Sequence, residues 1–220
     1  MTEFDAVGFG ALNVDKLFKV NRIAVAEDES FVTSYAEACG GSAANTIVGL
    51  ARLGCKCGFI GKVATDREGK MLLDDFCKER VDTEGIVQAR RGRSGTVMGF
   101  VDKKGNRALY ISPGVNNTIK LDEINPDYAS ATRFLHLTSF VGEKSFLTQK
   151  KLFELLPESV KVSFDPGALY ARMGMEKIEP IIKKIFVMLP NAGELELLTG
   201  EADYCRGADL LIQKGVKIVA

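Results

Sequence analysis

Short apolar runs alternate regularly with segments of helical periodicity, and no other feature narrows the available folds as much. β-forming runs at residues 6–9, 58–60, 134–137, 160–164, 186–189 and 216–219 are each followed or preceded by a helical pattern. The helical patterns cover residues 42–53, 66–80, 144–156, 175–184, 192–198 and 207–214. Strands of three to five residues joined by a helix favour right-handed crossovers and a parallel sheet. The chain is therefore expected to form one α/β domain over residues 1–220, a three-layer parallel sheet with helices on both faces. Ligands in such sheets gather beyond the carboxyl ends of the strands. Asn13, Asp15, Asp165 and Asn191 all follow a predicted strand.

Two stretches, about residues 16–37 and 86–113, break the alternation and are rich in β-formers. Within the second, residues 96–101 and 107–111 flank Asp102-Lys103-Lys104-Gly105-Asn106, which reads as a hairpin. A small second sheet is expected there.

Composition excludes several functions. Lysine plus arginine and aspartate plus glutamate both number 29, so no basic surplus exists for nucleic acid or an anionic membrane. No apolar run approaches the roughly 20 residues that span a bilayer, and the first residues lack a basic signal-peptide region. Five cysteines without zinc spacing read as reduced thiols, which places the protein in the cytoplasm.

The stretch Cys39-Gly40-Gly41-Ser42-Ala43-Ala44-Asn45 carries the most chemistry. Two glycines permit a sharp turn and close approach to a ligand. Ser42 is expected to cap the helix that follows, Asn45 lies one turn inside it, and Leu53-Gly54 ends it. Backbone N–H groups and one carboxamide suit a neutral polyhydroxyl ligand; an ordinary capped helix against a sheet is the plain alternative. Asp15 can accept from vicinal hydroxyls, or can sit solvated and paired with Lys16. Asp165-Pro166-Gly167 is either a turn or a ligand loop. Asn191 and Glu194 share one helical face, as a capping pair or as a site for phosphate and a hydrated Mg²⁺. Gly8-Phe9-Gly10 fails as a dinucleotide loop because strand-like residues follow it. His136, the single histidine, lies in an apolar strand and reads as a core residue, and Arg107 and Tyr110 read as exposed hairpin positions.

Gly40 to Asn45, with Leu50-Ala51-Arg52-Leu53-Gly54 after it, closely resembles the first signature of the ribokinase-like (PfkB) carbohydrate and nucleoside kinases. Asn13-Val14-Asp15 resembles the family's early substrate-binding segment, and residues 61–69 resemble its GxVGxDxxG stretch. Asn191 to Glu194 with Leu198-Thr199-Gly200 resembles its NxxE motif. The resemblance implies ATP-dependent phosphorylation of a sugar or nucleoside hydroxyl, with Mg²⁺, under a β-lid that often also forms a homodimer. It implies substrate contacts at Asn13, Asp15, Gly40, Gly41, Ser42, Asn45 and Asp165. It further implies phosphate or nucleotide contacts at Asn191 and Glu194, and a metal contact at Glu194. The FDPG stretch and the lack of a basic cluster near these motifs look more like nucleoside kinases than sugar-phosphate kinases. The family's second signature, a DTxGAGD-type loop that carries the catalytic Asp and the anion hole, has no counterpart in these residues. The expectation is thus an N-terminal portion of the kinase fold, with no catalytic group of its own and no useful activity alone. A module that binds sugar or nucleoside without transfer, or one that dimerises through the lid, is the alternative.

Overall fold

A run such as Phe4–Phe9, in which all four residues after Asp5 are buried, can serve only as an interior strand. The computed structural model describes residues 3–220. Its first half contains β1 (Phe4–Phe9), β2 (Asn13–Val20), β3 (Val32–Gly40), α1 (Ser42–Arg52), β4 (Cys57–Ala64), α2 (Arg67–Lys78), β5 (Ile86–Ala89), β6 (Gly95–Val101) and β7 (Arg107–Ser112). Two 3-10 turns, Gly114–Thr118 and Leu121–Glu123, lead to α3 (Pro126–Ser130) and β8 (Thr132–Thr138). Then come α4 (Glu143–Leu155), β9 (Lys161–Asp165), α5 (Gly167–Ala171), α6 (Met175–Ile182), β10 (Ile185–Met188), α7 (Ala192–Thr199), α8 (Tyr204–Gln213) and β11 (Ile218–Val219).

Seven parallel strands form the main sheet in the order β11-β10-β9-β8-β1-β4-β5. One face packs against α3 to α8 through Phe9, Leu137, Phe164, Tyr170 and Ile181; the other packs against α1 and α2 through Ile47, Phe59 and Phe76. Each fully buried side chain of this size contributes about 1.5–3 kcal/mol. Gln149 of α4, 1% exposed, ties the carboxyl ends of β1 and β8 together. Its Nε2 donates to Phe9 O at 3.1 Å and to Thr138 O at 2.8 Å, and its Oε1 accepts from Tyr170 at 2.7 Å. Beyond α1, a groove of about 480 Å³ runs over Phe134, His136, Ser163 and Val187.

The small sheet has the order β3-β2-β6-β7; β2 pairs parallel with β6, and the outer two pairs are antiparallel. Phe18 stacks on Phe100 at 5.0 Å and lies 4.9 Å from Tyr35, which links three of its strands.

Several details differ from the sequence reading. β4 runs to Ala64 because Lys62, only 6% exposed, is neutralised by Glu123 at 2.6 Å and does not interrupt the strand. Ile86–Ala89, counted with the small sheet, pairs with β4 at the edge of the main one. The short helices α3 and α5 give no periodic signal at five residues each. Asp66 precedes α2 as its N-cap instead of being its first helical residue.

Candidate functional site

Asn13 and Asp15 are residues of β2, two apart and therefore on one face of the small sheet. Asn13 lies in register with Gly40 on one side and Gly95 on the other. These two glycines are demanded by their neighbours. A Cβ on Gly40 would stand 2.4 Å from Asp15 Oδ2, and one on Gly95 would stand 2.2 Å from both Asn13 Oδ1 and Asn116 Nδ2. The Asp15 carboxylate thus lies against the backbone at the end of β3. Burial pushes its carboxyl above the usual range, and no hydrogen bond or ion pair to it exists among the described residues. Lys16, the partner weighed for it, points the other way and pairs with Glu68 of α2 at 2.9 Å.

The helix start is corrected in one respect. Gly41, with φ of +120°, is the N-cap of α1, and Ser42 is the first helical residue, whose side chain makes no cap bond. A side chain at residue 41 is forbidden twice over: φ is left-handed, and a Cβ would sit 2.2 Å from Ala11 O. Ser42 and Asn45 lie exposed on the first turn of α1. Gly54 ends the helix with φ of +94°, as its sequence foretells.

Asp66, from the third matched stretch, has its oxygens fully engaged. It accepts from Gly69 N at 2.9 Å, Ser94 N at 2.8 Å and Ser94 Oγ at 2.6 Å. Burial pulls its pKa up, but these bonds hold it below the usual carboxylate range.

A second group of polar residues stands farther along the carboxyl edge. Asp165 ends β9 and accepts from Gly167 N at 3.0 Å. Burial raises its pKa, the Gly167 bond opposes that rise, and the negative charge of Glu194 adds to it. Asn191 and Glu194 form a capping box: Asn191 N donates to Glu194 Oε2 at 3.0 Å, and Glu194 N donates to Asn191 Oδ1 at 3.0 Å. Thr138 is in register with Asp165, and its hydroxyl would lie 2.7 Å from a Cβ on Gly10. At about 4.8 Å per strand, the three steps from β1 to β10 put these two strands roughly 14 Å apart, with the chain passing from β1 into β2 at one end and from β10 to Asn191 at the other.

His136 is a core residue, as its setting in the sequence indicates: 3% exposed, with Nδ1 3.0 Å from Ser163 Oγ. Burial lowers its pKa to about 4, and its Nε2 has no partner. Arg107 and Tyr110 are exposed on β7. All five cysteines are free thiols. Among the described residues no three acidic, histidine or cysteine side chains cluster to hold a metal, and no helix is long and apolar enough to cross a membrane. Sequence reasoning missed Asn116, which is 1% exposed and hydrogen-bonded to both Leu12 and Asn13. An asparagine in a Pro-Gly-Val-Asn-Asn turn carries no signal of that contact, because the partners lie 103 and 104 residues away.

Known proteins resemble the chain in sequence and in fold. The chain is 47% identical, over 79% of its length and 68% of the relative's, to an uncharacterized sugar kinase of Archaeoglobus fulgidus. It is 31% identical, over 89% of its length and 64% of the relative's, to an ATP-dependent ribose-1-phosphate kinase of Halopiger xanaduensis. It spans about two thirds of the length of these relatives. The crystal structure of ribokinase from Thermotoga maritima superposes with a TM-score of 0.82, covering 98% of this chain and 70% of that one at 24% identity, a likeness of fold. The model of the pfkB family carbohydrate kinases matches residues 5–220, and the chain belongs to that family.

Proposed function

We propose that the protein phosphorylates a hydroxyl of a sugar or nucleoside with ATP as donor. One observation carries the reading: the Asp15 carboxylate is unpaired, half-buried and seated on the Gly40 backbone beside the start of α1. A carboxylate held without a cation is costly unless a ligand supplies hydrogen bonds. Vicinal hydroxyls donate to it without adding charge, and Gly41, Ser42 and Asn45 offer further backbone and side-chain groups. Asp165, at the end of β9, would reach the same ligand or the phosphates.

Asp165 and Glu194 fit a hydrated divalent cation. Their charges interact, and Mg²⁺ usually takes one or two carboxylates and keeps several waters. Glu194, with Asn191 beside it, would hold Mg²⁺ and the donor's phosphates at the start of α7. When bound, the ion would neutralise charge on the transferred phosphoryl group. The residues of this chain then bind and orient the acceptor, and we assign none of them the role of proton-abstracting base. The small sheet would exclude water from the acceptor. Its exposed Leu17, Leu109 and Ile111 support closure over ligand or pairing with a second copy, which sedimentation of the protein with and without ligand distinguishes.

Calorimetric titration with D-ribose and with adenosine tests the reading. At least one should bind, and Asp15→Asn should weaken it by about tenfold or more while phosphate transfer is followed by phosphorus NMR. If neither ligand binds, or the variant binds as tightly as the parent, the proposal fails. The name of the Halopiger relative favours a second acceptor class, the sugar 1-phosphates. Preference for ribose 1-phosphate over ribose would establish it.

A further inference from the structure

We infer that Asn116 is a positioning residue that fixes the hydrogen-bonding polarity of Asn13, so that Asn13 presents only N–H donors to the ligand. The inference deepens the proposed acceptor site and rests on it for its functional meaning. Asn116 is 1% exposed and lies in the 3-10 turn where the chain leaves the small sheet. Its side chain reaches across to the segment where the chain enters that sheet. Asn116 Oδ1 accepts from Leu12 N at 3.0 Å, and Asn116 Nδ2 donates to Leu12 O at 2.8 Å and to Asn13 Oδ1 at 3.1 Å.

The chemistry of Leu12 decides every orientation in this chain of bonds. A backbone N–H can only donate, so the Asn116 atom facing it is the oxygen. A backbone carbonyl can only accept, so the atom facing that is the Asn116 nitrogen. One proton of that nitrogen goes to Leu12 O and the other to Asn13, so the Asn13 atom facing it is also an oxygen. A flipped Asn13 would set two N–H₂ groups against each other. Its free end is therefore Nδ2, with no protein partner among the described residues.

Asn116 is itself held. Ser145 of α4 donates to Asn116 O at 2.8 Å, and Asn116 N donates to Pro113 O at 3.2 Å. Gly95 leaves the room that the Asn13 and Asn116 amides occupy. The result is a fixed alternation along β2, with a donor at Asn13 and an acceptor at Asp15 two residues on. A ligand must accept at the first and donate at the second. A hydroxyl does both, whereas fluorine accepts only and hydrogen does neither.

Side-chain amide exchange, measured by nitrogen-15 NMR on the unliganded protein, tests the orientation without any ligand. The Asn116 NH₂ protons should exchange about a hundredfold slower than free amides, while those of Asn13 exchange near the free rate. Protected Asn13 with freely exchanging Asn116 overturns the inference, whether or not any sugar binds. Asn116→Asp gives the second readout. Its carboxylate cannot donate, so Asn13 must turn its nitrogen inward and its oxygen outward. The Asn13 NH₂ should then become protected, and among riboses with one hydroxyl replaced by fluorine, the analogue whose fluorine meets Asn13 should lose about tenfold in affinity relative to ribose. An Asn13 amide that still exchanges freely in a folded Asn116→Asp protein would also sink the proposal. Failure of both ribose and adenosine to bind the parent counts against the proposed function, whereas the exchange pattern counts only for or against the role of Asn116.

Discussion

Asp15 and Glu194 are both carboxylates beside a helix start at the same edge of the sheet, yet their local chemistry is opposite. Asp15 has no partner, and glycines make room for it. Glu194 and Asn191 spend one oxygen each on the other's backbone N–H, so part of their polarity is satisfied before any ligand arrives. The first region is built open around backbone contacts that tolerate no added atom. The second is a helix cap that has one carboxylate oxygen to spare. Two motifs that look alike in sequence thus differ in how much of their hydrogen-bonding capacity the fold has already used.

Glycine substitution should break the comparison most forcefully. Gly41→Ala places a Cβ 2.2 Å from Ala11 O at a φ of +120° and should cost about 3 kcal/mol or more in urea denaturation. Gly193→Ala, at the start of α7 with the nearest atom 3.5 Å away, should be neutral or up to about 1 kcal/mol stabilising. Equal effects would mean that the two regions are equally tolerant.

His136 lies buried on β8, inside the main sheet, and supplies a pH test. Its pKa in the fold, about 4, is below the ordinary 6.5, so the unfolded chain takes up its proton first. Stability from the neutral imidazole is present above about pH 6.5 and is lost as pH falls toward 4, by about 3 kcal/mol at most. His136→Asn should flatten that window when stability is measured against pH. Glu37, held down to about 2 first by Arg67 and then by Tyr35, loses its contribution only in more acidic solution.

Asp15→Asn sharpens the contrast by sign. Because burial raises the Asp15 pKa, its charge opposes folding at neutral pH. The variant should melt no lower than the parent while ligand affinity falls about tenfold. The smallest effect belongs to the cap. Asn191→Ala should cost about 1 kcal/mol, whereas Glu194→Gln should leave stability nearly unchanged because glutamine serves at the same cap position. Weaker dependence on Mg²⁺ in Glu194→Gln would show that the spare oxygen is used.

Much of the frame was legible because its signals are local. The apolar runs at 134–137 and 160–164 become β8 and β9 within one residue or two, and the helix beginning at Ser42 ends one residue earlier than its pattern suggests. Misses fall where a distant partner overrides a local signal. The strand expected at 58–60 runs on to Ala64, with Lys62 neutralised by Glu123, 61 residues away. Residues 86–89 look like part of the small sheet until β4 pairs with them. Ser42 looks like a cap, but the left-handed turn at Gly41 puts it one position inside the helix.

The sequence by itself determined the α/β layering, the order of the longer strands and helices, the membership of the carbohydrate kinase family and the glycines of the acceptor turn. The family follows from the matched motifs along the chain, and the rest depends on periodicity or on backbone freedom within a few neighbouring residues. Only the tertiary structure decided which carboxylate stays open, that Asn191 and Glu194 cap each other, and that Asn116 orients Asn13. Those outcomes depend on which donors and acceptors the fold brings within about 3 Å, and residues a hundred positions apart carry no local trace of that meeting.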